Sequence, residues 1–420
     1  MKNKVKTPVS FTAFNFSLEI ERALKHNGYM TPTAIQSQVI PLVLARKDVI
    51  AKAQTGSGKT ASFVLPILHH IMNNQKSKKK RIQALVLTPT RELTLQVAEV
   101  FSLLGKYCSE KPKIVSVIGG EQIGDQLHEI QKGCDVLVAT AGRFIDVLKK
   151  KQMNLEFLEF LVLDEADKML DLGFAQELDL ILEALPPKRQ NLFFSATYPP
   201  KILNLVAKIT TDALNVDIEE ETLVVQKIHQ RVIEVNKENR APLLRHLLKS
   251  ELWDHVLVFM ANKRSADNIA AKFRKHGFKA DSFHGDLIQE ERNFTLNEFK
   301  EKKLNILFAT DIAARGLDIC DIACVVNFDL PRSPADYVHR VGRTARAGKS
   351  GVALTFIDHE DQEHFKLIEK RCQITLEKEQ IEGFELKGEP VLKAKGNEPI
   401  KGKRKSKKDK LREQAQQNTK

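Results

Sequence analysis

The chain reads as an α/β protein whose two halves each carry a parallel sheet covered by helices. Three observations predict this. Short apolar runs alternate with longer stretches of helical periodicity. Several of the runs are apolar at every position, the pattern of a parallel strand buried on both faces. The plan then repeats in the second half, without the glycine-rich loop that follows the first strand of the first half.

In the first half the expected strands are 49–51, 84–87, 114–117, 136–139, 160–163 and 192–194. Each leads into small, polar or charged residues: Gln54-Thr55-Gly56, Thr88-Pro89-Thr90-Arg91-Glu92, Gly119-Gly120, Thr140-Ala141-Gly142-Arg143, Asp164-Glu165 and Ser195-Ala196-Thr197. They collect at the carboxyl ends of the strands, the edge where open α/β sheets bind ligands. In the second half the expected strands are 228–235, 256–259, 280–283, 306–309, 325–328 and 352–356, with His284-Gly285-Asp286 and Thr310-Asp311 after two of them. That half should contribute to a shared site rather than form its own. Weak periodicity and the acids Asp212 and Glu219-Glu220-Glu221 mark the join. The expected division is an N-terminal domain over 1–211, a linker over 212–222, a C-terminal domain over 223–387 and a disordered basic tail over 388–420, where few large apolar residues remain.

Charge supports this division. The net charge is +12, yet residues 401–420 alone carry nine Lys or Arg against two Asp or Glu. The body is therefore nearly balanced. A second basic cluster, Lys76-Ser77-Lys78-Lys79-Lys80-Arg81, reads first as a solvated loop, with nucleic-acid contact as the alternative. The five cysteines form no disulfide framework; Cys320 and Cys324 lack nearby histidines and read as buried small residues rather than zinc ligands. No run approaches the length of a membrane span, and Met1 to Phe16 lacks the apolar core of a signal peptide. A cytoplasmic protein is expected.

The chemistry lies in two motifs. Ala53-Gln54-Thr55-Gly56-Ser57-Gly58-Lys59-Thr60 has the form of a phosphate-binding loop between a strand and a helix. Its small residues let successive N–H groups curl around phosphate oxygens at a helix N-terminus. Lys59 would reach the outer phosphates and the Thr60 hydroxyl would bind Mg2+. Such a loop arises by chance in roughly three chains per hundred of this size, so the weight falls on the second motif. Asp164-Glu165-Ala166-Asp167 ends an apolar run and offers carboxylates at a strand tip, one for magnesium and one for water.

The full set of motifs, from about Phe11 to Ala347, resembles the DEAD-box ATP-dependent RNA helicases, and within them is most similar to the bacterial RhlE-like group. The resemblance implies two tandem RecA-like domains whose cleft closes on ATP and RNA together. It makes Gly28-Tyr29-Met30-Thr31-Pro32-Thr33-Ala34-Ile35-Gln36, with Phe11 upstream, an adenine-reading segment. There Gln36 would pair with the base edge, since its amide offers a donor beside an acceptor, and Tyr29 would stack. It assigns Asp164 to magnesium, largely through water, and Glu165 to activating the attacking water. Asp318 would meet the ribose. Arg343 and Arg346, in His339-Arg340-Val341-Gly342-Arg343-Thr344-Ala345-Arg346, match the family's arginine fingers. Asp167, Ser195, Thr197 and His339 would couple the nucleotide site to strand separation.

For RNA, the resemblance implies backbone contacts from Pro89, Thr90, Arg91, Gly119, Gly120, Thr140 and Arg143 in the first half, and from Gln289, Arg292, Thr310 and Gly316 in the second. None offers an obvious way to read base edges, so binding should be largely independent of sequence and sensitive to salt. Two positions depart from the family pattern, Ala141 for a proline and Ala345 for a glycine, and Ala53 stands where a phosphate loop often has its first glycine. The expected activity is ATP-driven, local and non-processive unwinding of short RNA duplexes or remodelling of RNA–protein complexes. Its rivals are a DNA translocase on the same core and an ATP-gated RNA clamp or annealer with little unwinding.

Overall fold

The computed structural model describes residues 10–53, 56–73, 81–198, 200–210, 212–218, 228–314, 322–345 and 351–389. The first half contains strands β1 (Val49–Lys52), β2 (Ala84–Thr88), β3 (Ile114–Val117), β4 (Val136–Thr140), β5 (Phe160–Asp164), β6 (Gln190–Ser195) and β7 (Leu214–Asp217). They pair in parallel in the order β3-β4-β2-β5-β6-β1-β7. The second half contains β8 (Ile228–Glu234), β9 (Val256–Met260), β10 (Ala280–Phe283), β11 (Ile306–Thr310), β12 (Cys324–Asn327), β13 (Gly351–Ile357) and β14 (Lys378–Glu379). Their order is β10-β11-β9-β12-β13-β8-β14, again parallel throughout. Adding seven to each strand number of the first sheet gives the second.

Alternation along each strand explains why both faces are covered. In β2, β4 and β5 one set of side chains, including Val86, Val138 and Val162, joins a core with the Lys59–Asn73 and Arg91–Gly105 helices. The other set, including Leu87, Leu137 and Leu163, joins a separate core with the Ala141–Lys149 and Ala175–Ala184 helices. β9 and β11 divide in the same way, with Val258 and Phe308 on one face and Phe259 and Leu307 on the other.

Two expectations change. Leu214–Asp217 is not linker but the edge strand β7, paired with β1. Only its Val216 is buried, so the stretch carries too little apolar signal to read as a strand. β12 starts at Cys324, one residue earlier than expected, and Phe328 lies just past its end. The second sheet also gains the two-residue edge strand β14, polar in both positions. The basic tail from residue 390 onward, and linker residues 219–222, lie outside the described residues.

Candidate active site

The phosphate loop joins β1 to the Lys59–Asn73 helix, and Ala53 N–H donates to Ser195 O on neighbouring β6 at 3.2 Å. Gly56 and Gly58 have φ of 90° and 92°, the left-handed region where glycine carries no steric cost. A Cβ on Gly58 would stand 2.6 Å from Gln36 Nε2 and 3.0 Å from Thr33 Oγ1. The loop therefore closes directly on the segment expected to read adenine. Gln36 is buried; its Oε1 accepts from Thr33 N–H at 2.9 Å and its Nε2 donates to Gly58 O at 3.1 Å. One amide hydrogen and one oxygen lone pair remain for a ligand, which suits the adjacent acceptor and donor of adenine. Tyr29 packs edge-on against the buried Phe11, with ring centroids 6.4 Å apart. Lys59 folds back beneath its own loop and donates to Ala53 O at 2.9 Å. Ser57 and Thr60 are half-buried beside it, and Gln54 and Thr55 lie outside the described residues.

Asp164 ends β5 with a carboxylate only 2% exposed, and its Oδ1 has no hydrogen-bond partner. Burial pushes its pKa up to about 6, although the Lys59 ammonium works against this. Glu165 follows in a left-handed conformation, φ 54° and ψ 48°, rare outside glycine and asparagine. Burial pushes its carboxyl up as well, but Lys168 and Lys59 outweigh burial and hold it down at about 2. Lys168 Nζ is 2.9 Å from Glu165 Oε2. Asp167 accepts from Thr197 N–H at 3.0 Å and from Thr197 Oγ1 at 2.9 Å, while Ser195 Oγ donates to Thr197 O at 2.7 Å. Ser195 and Thr197 thus brace the acidic turn.

The same residues test the fit for magnesium. Among the described residues no cluster of three or more His, Cys, Asp or Glu could hold a metal. The unpartnered Asp164 oxygen and the Thr60 hydroxyl fit a magnesium that keeps most of its water and rests on substrate phosphates.

The second half meets this site through the Pro334–Val341 helix and the turn after it. Arg343 is 3% exposed, and its charge acts on Glu165 and on Lys168. Burial lowers the His339 pKa to about 4; Lys168 adds to this, and Asp167 and Glu165 oppose it. His339 and Arg343 therefore face the acids of the first half. Arg340 of the same helix points inward. It grips Asp311 with two bonds of 2.6 and 2.7 Å and reaches Asn327 Oδ1 and Asp329 O. Thr310 ends β11 half-buried, and Arg346, Gly316 and Asp318 lie outside the described residues. Ala345 takes φ 56°, a conformation that fits the glycine expected there.

Of the residues expected to meet RNA, the first-half set gathers at one edge. The Arg91 guanidinium lies over Gly119 and Gly120, where a Cβ on Gly120 would stand 2.5 Å from its Nη1. Arg143 donates to Glu121 O at 3.0 Å. Pro89 and Thr90 are buried at the head of the Arg91–Gly105 helix, with Thr90 Oγ1 accepting from Leu93 N–H. Thr140 precedes the Ala141–Lys149 helix.

The second-half set behaves differently. Gln289 Oε1 accepts from Arg91 Nη1 at 3.2 Å. Arg292 Nε donates to Glu92 Oε1 at 2.6 Å, with both side chains 7% exposed. Its Nη1 donates to His284 O at 2.8 Å. Gln289 and Arg292, expected to touch RNA, here bridge the two halves through Arg91 and Glu92. Sequence reasoning did not single out Glu92, Arg340 or Lys168 for the site. Lys168 was within reach of the rule that residues three apart on a helix share a face; Glu92 and Arg292 meet only through the fold.

Comparison with known proteins agrees with this geometry. Residues 33–205 match the family described as DEAD/DEAH box helicase, and residues 239–348 match the helicase conserved C-terminal domain. The chain is 38% identical over 362 residues to the DEAD-box ATP-dependent RNA helicase CshA of Bacillus licheniformis, covering 86% of this chain and 73% of that one. It is 41% identical over 372 residues to the ATP-dependent RNA helicase DeaD of Mycobacterium tuberculosis, covering 89% and 65%. These names speak for the family and not for the RhlE-like subgroup. Among solved structures, S. cerevisiae Dbp5 bound to RNA and ADP BeF3 superimposes with a TM-score of 0.78 at 29% identity, covering 89% of this chain and 96% of that one. Mss116p bound to ssRNA and AMP-PNP gives 0.82 at 26%, covering 91% and 81%.

Proposed function

The chain belongs to the DEAD/DEAH box helicase family, as an ATP-dependent RNA helicase, and on that premise we propose how its own residues divide the work. One observation carries the reading: Asp164, Glu165 and Lys59 of the first half share a buried space with Arg343 and His339 of the second. ATP phosphates take the place of Ala53 O on the Lys59 ammonium. Asp164 and Thr60 would hold magnesium, which would supply positive charge to neutralise the phosphates. Glu165 orients a water and takes its proton as the water oxygen attacks the terminal phosphorus. The bond to the bridging oxygen breaks, leaving ADP and inorganic phosphate. Arg343, and Arg346 by its place in the motif, stabilise charge on the transferring group. These arginines come from the other half, so hydrolysis requires closure.

Arg91, Arg143, Thr90, Thr140 and the Gly119-Gly120 turn hold the RNA backbone. Arg292 and Gln289 support that surface by fastening it to Glu92 and Arg91. Gln36 selects adenine. Closure around a single strand pries a short duplex apart locally, and loss of phosphate releases it. We put the division between the two domains between Asp217, the end of β7, and Ile228, the start of β8. Among the described residues no helix is long and apolar enough to cross a membrane, and a cytoplasmic setting is part of the proposal.

The test is steady-state ATP hydrolysis without nucleic acid, with single-stranded RNA and with matched DNA, for the wild type and Glu165→Gln. Stimulation by RNA alone, lost in the variant while ATP binding persists, is expected. Equal stimulation by DNA would overturn the RNA assignment, and normal turnover in the variant would overturn the base.

A further inference from the structure

The ammonium of Lys168 is one of the most deeply buried charges among the described residues and has no part in the scheme above. We propose that Lys168 is a positioning residue for ATP hydrolysis, holding the Glu165 carboxylate in the orientation from which it takes a proton from the attacking water. This rests on the reading of Glu165 as the base.

Three observations support it. The contact is direct and dry: Lys168 Nζ lies 2.9 Å from Glu165 Oε2, with the two side chains 3% and 4% exposed. Lysine is almost never buried to that degree without a partner, and here the partner is the carboxylate on which hydrolysis depends. The lysine is itself anchored. Its backbone N–H donates to Glu165 O and to Asp167 Oδ1, each at 3.0 Å, in the first turn of the Ala166–Asp171 helix. The ammonium thus reaches back from a fixed point. Finally, Glu165 stands in a left-handed conformation that its surroundings must maintain. An i,i+3 ion pair across the turn does that.

The Lys168 ammonium holds the carboxylate at Oε2, and the carboxylate takes the water proton. The water oxygen bonds to phosphorus, the electrons of the broken phosphorus–oxygen bond leave with ADP, and the proton rests on Glu165 until the cleft reopens to solvent. Without Lys168 the carboxylate still exists but turns toward the other nearby cations, Lys59 and Arg343. Turnover should then fall while ATP still binds.

RNA-stimulated ATPase of the full chain tests this with Lys168→Met and Lys168→Arg, each alone and combined with Glu165→Gln. Lys168→Met should lower kcat about tenfold or more, with KM for ATP changed less than about threefold. Lys168→Arg should restore most of the rate. In the Glu165→Gln background, Lys168→Met should cost nothing further in single-turnover hydrolysis, because the group it positions is gone. Wild-type kcat in Lys168→Met, or an equal loss in both backgrounds, would overturn the proposal. So would a rise in KM at unchanged kcat. RNA binding in the presence of AMP-PNP checks that the variant folds. If it does not fold, Lys168→Gln replaces it, and a rate equal to that of Lys168→Arg overturns the proposal. Normal turnover in Glu165→Gln alone would instead remove the base assignment; a normal Lys168→Met beside a dead Glu165→Gln removes only this inference.

Discussion

The two sheets share one strand order but use the same place in opposite ways. After β1 comes the phosphate loop. After β8, its counterpart, comes Val235-Asn236-Lys237-Glu238-Asn239-Arg240, with a short 3-10 turn over Lys237–Asn239. The Arg240 guanidinium turns into the edge of the second sheet and is 2% exposed. It donates to Phe328 O at 2.9 Å, to Asp329 at 3.2 Å, to Asp358 at 3.2 Å and to Asp361 at 2.5 Å. Asp329 follows the end of β12 much as Glu165 follows β5. Both halves thus gather acids and a cation at the carboxyl edge. In the first, Asp164 Oδ1 is left without a partner. In the second, the chain supplies its own cation and seals the edge. A ligand site here is what the residues leave unsatisfied, rather than a property of the fold.

The strongest way to break this comparison is to remove the cation from each half. Lys59→Met should abolish measurable RNA-stimulated ATPase, a loss of roughly a thousandfold or more, with little change in the urea midpoint. Arg240→Met leaves Asp329, Asp358 and Asp361 without their shared cation and should cost about 3–5 kcal/mol of stability. Its ATPase, measured well below the melting temperature, should persist. Arg240→Met with wild-type stability would show that the second edge is not sealed by this network.

Removing an acid from each half should give opposite signs. The Asp164 carboxyl titrates near 6 rather than its ordinary 3.8, chiefly because burial disfavours the ionised form. A raised carboxyl pKa contributes stability that is fully present below 3.8 and is lost as the pH rises through about 6. At pH 7 the ionised group therefore costs the ligand-free protein about 3 kcal/mol. Asp164→Asn should be inactive yet more stable than wild type at pH 7, with the gain disappearing near pH 4. Asp329 is already bonded to Arg240 and to Ala261 N–H at 2.8 Å. Asp329→Asn should lose about 1–2 kcal/mol. Urea titrations at the two pH values check both signs, and destabilisation of both variants at pH 7 would remove the contrast.

Most of this architecture was legible in the sequence because burial on two faces leaves apolar runs, as in Ala84-Leu85-Val86-Leu87 and Val136-Leu137-Val138-Ala139. β7 was not, because an edge strand with one buried residue alternates like a loop. The nucleotide site was legible for a different reason: its parts are contiguous in the chain, as in Gly56 to Thr60 and Asp164 to Asp167. What could not be read were the pairings across the fold. Glu92 and Arg292 stand two hundred positions apart, and nothing local to either marks the other. The amide of Gln36 was read as a base reader, but its bonds to Thr33 and Gly58 depend on how the loop folds against its helix.

The smallest effect concerns the two alanines that replace family residues, one in each half. Ala141 opens the Ala141–Lys149 helix, and Thr140 before it has φ −77° and ψ 140°, already the backbone that precedes a proline. Proline at a first helical position loses no intrahelical bond, so Ala141→Pro should change stability by no more than about 0.5 kcal/mol. Ala345 is held at φ 56°, where an alanine is strained and a glycine is not. Two effects oppose the release of that strain: glycine is freer in the unfolded chain, and the Ala345 methyl packs on the core around Val341 and Ala353. The left-handed penalty, about 1–2 kcal/mol, exceeds the entropic cost of about 0.5–1 kcal/mol. Ala345→Gly should therefore gain a few tenths to about 1 kcal/mol, seen as a small rise in Tm. A fall in Tm would mean that the methyl's packing outweighs the strain, and that the second half has adapted to its alanine as fully as the first has to Ala141.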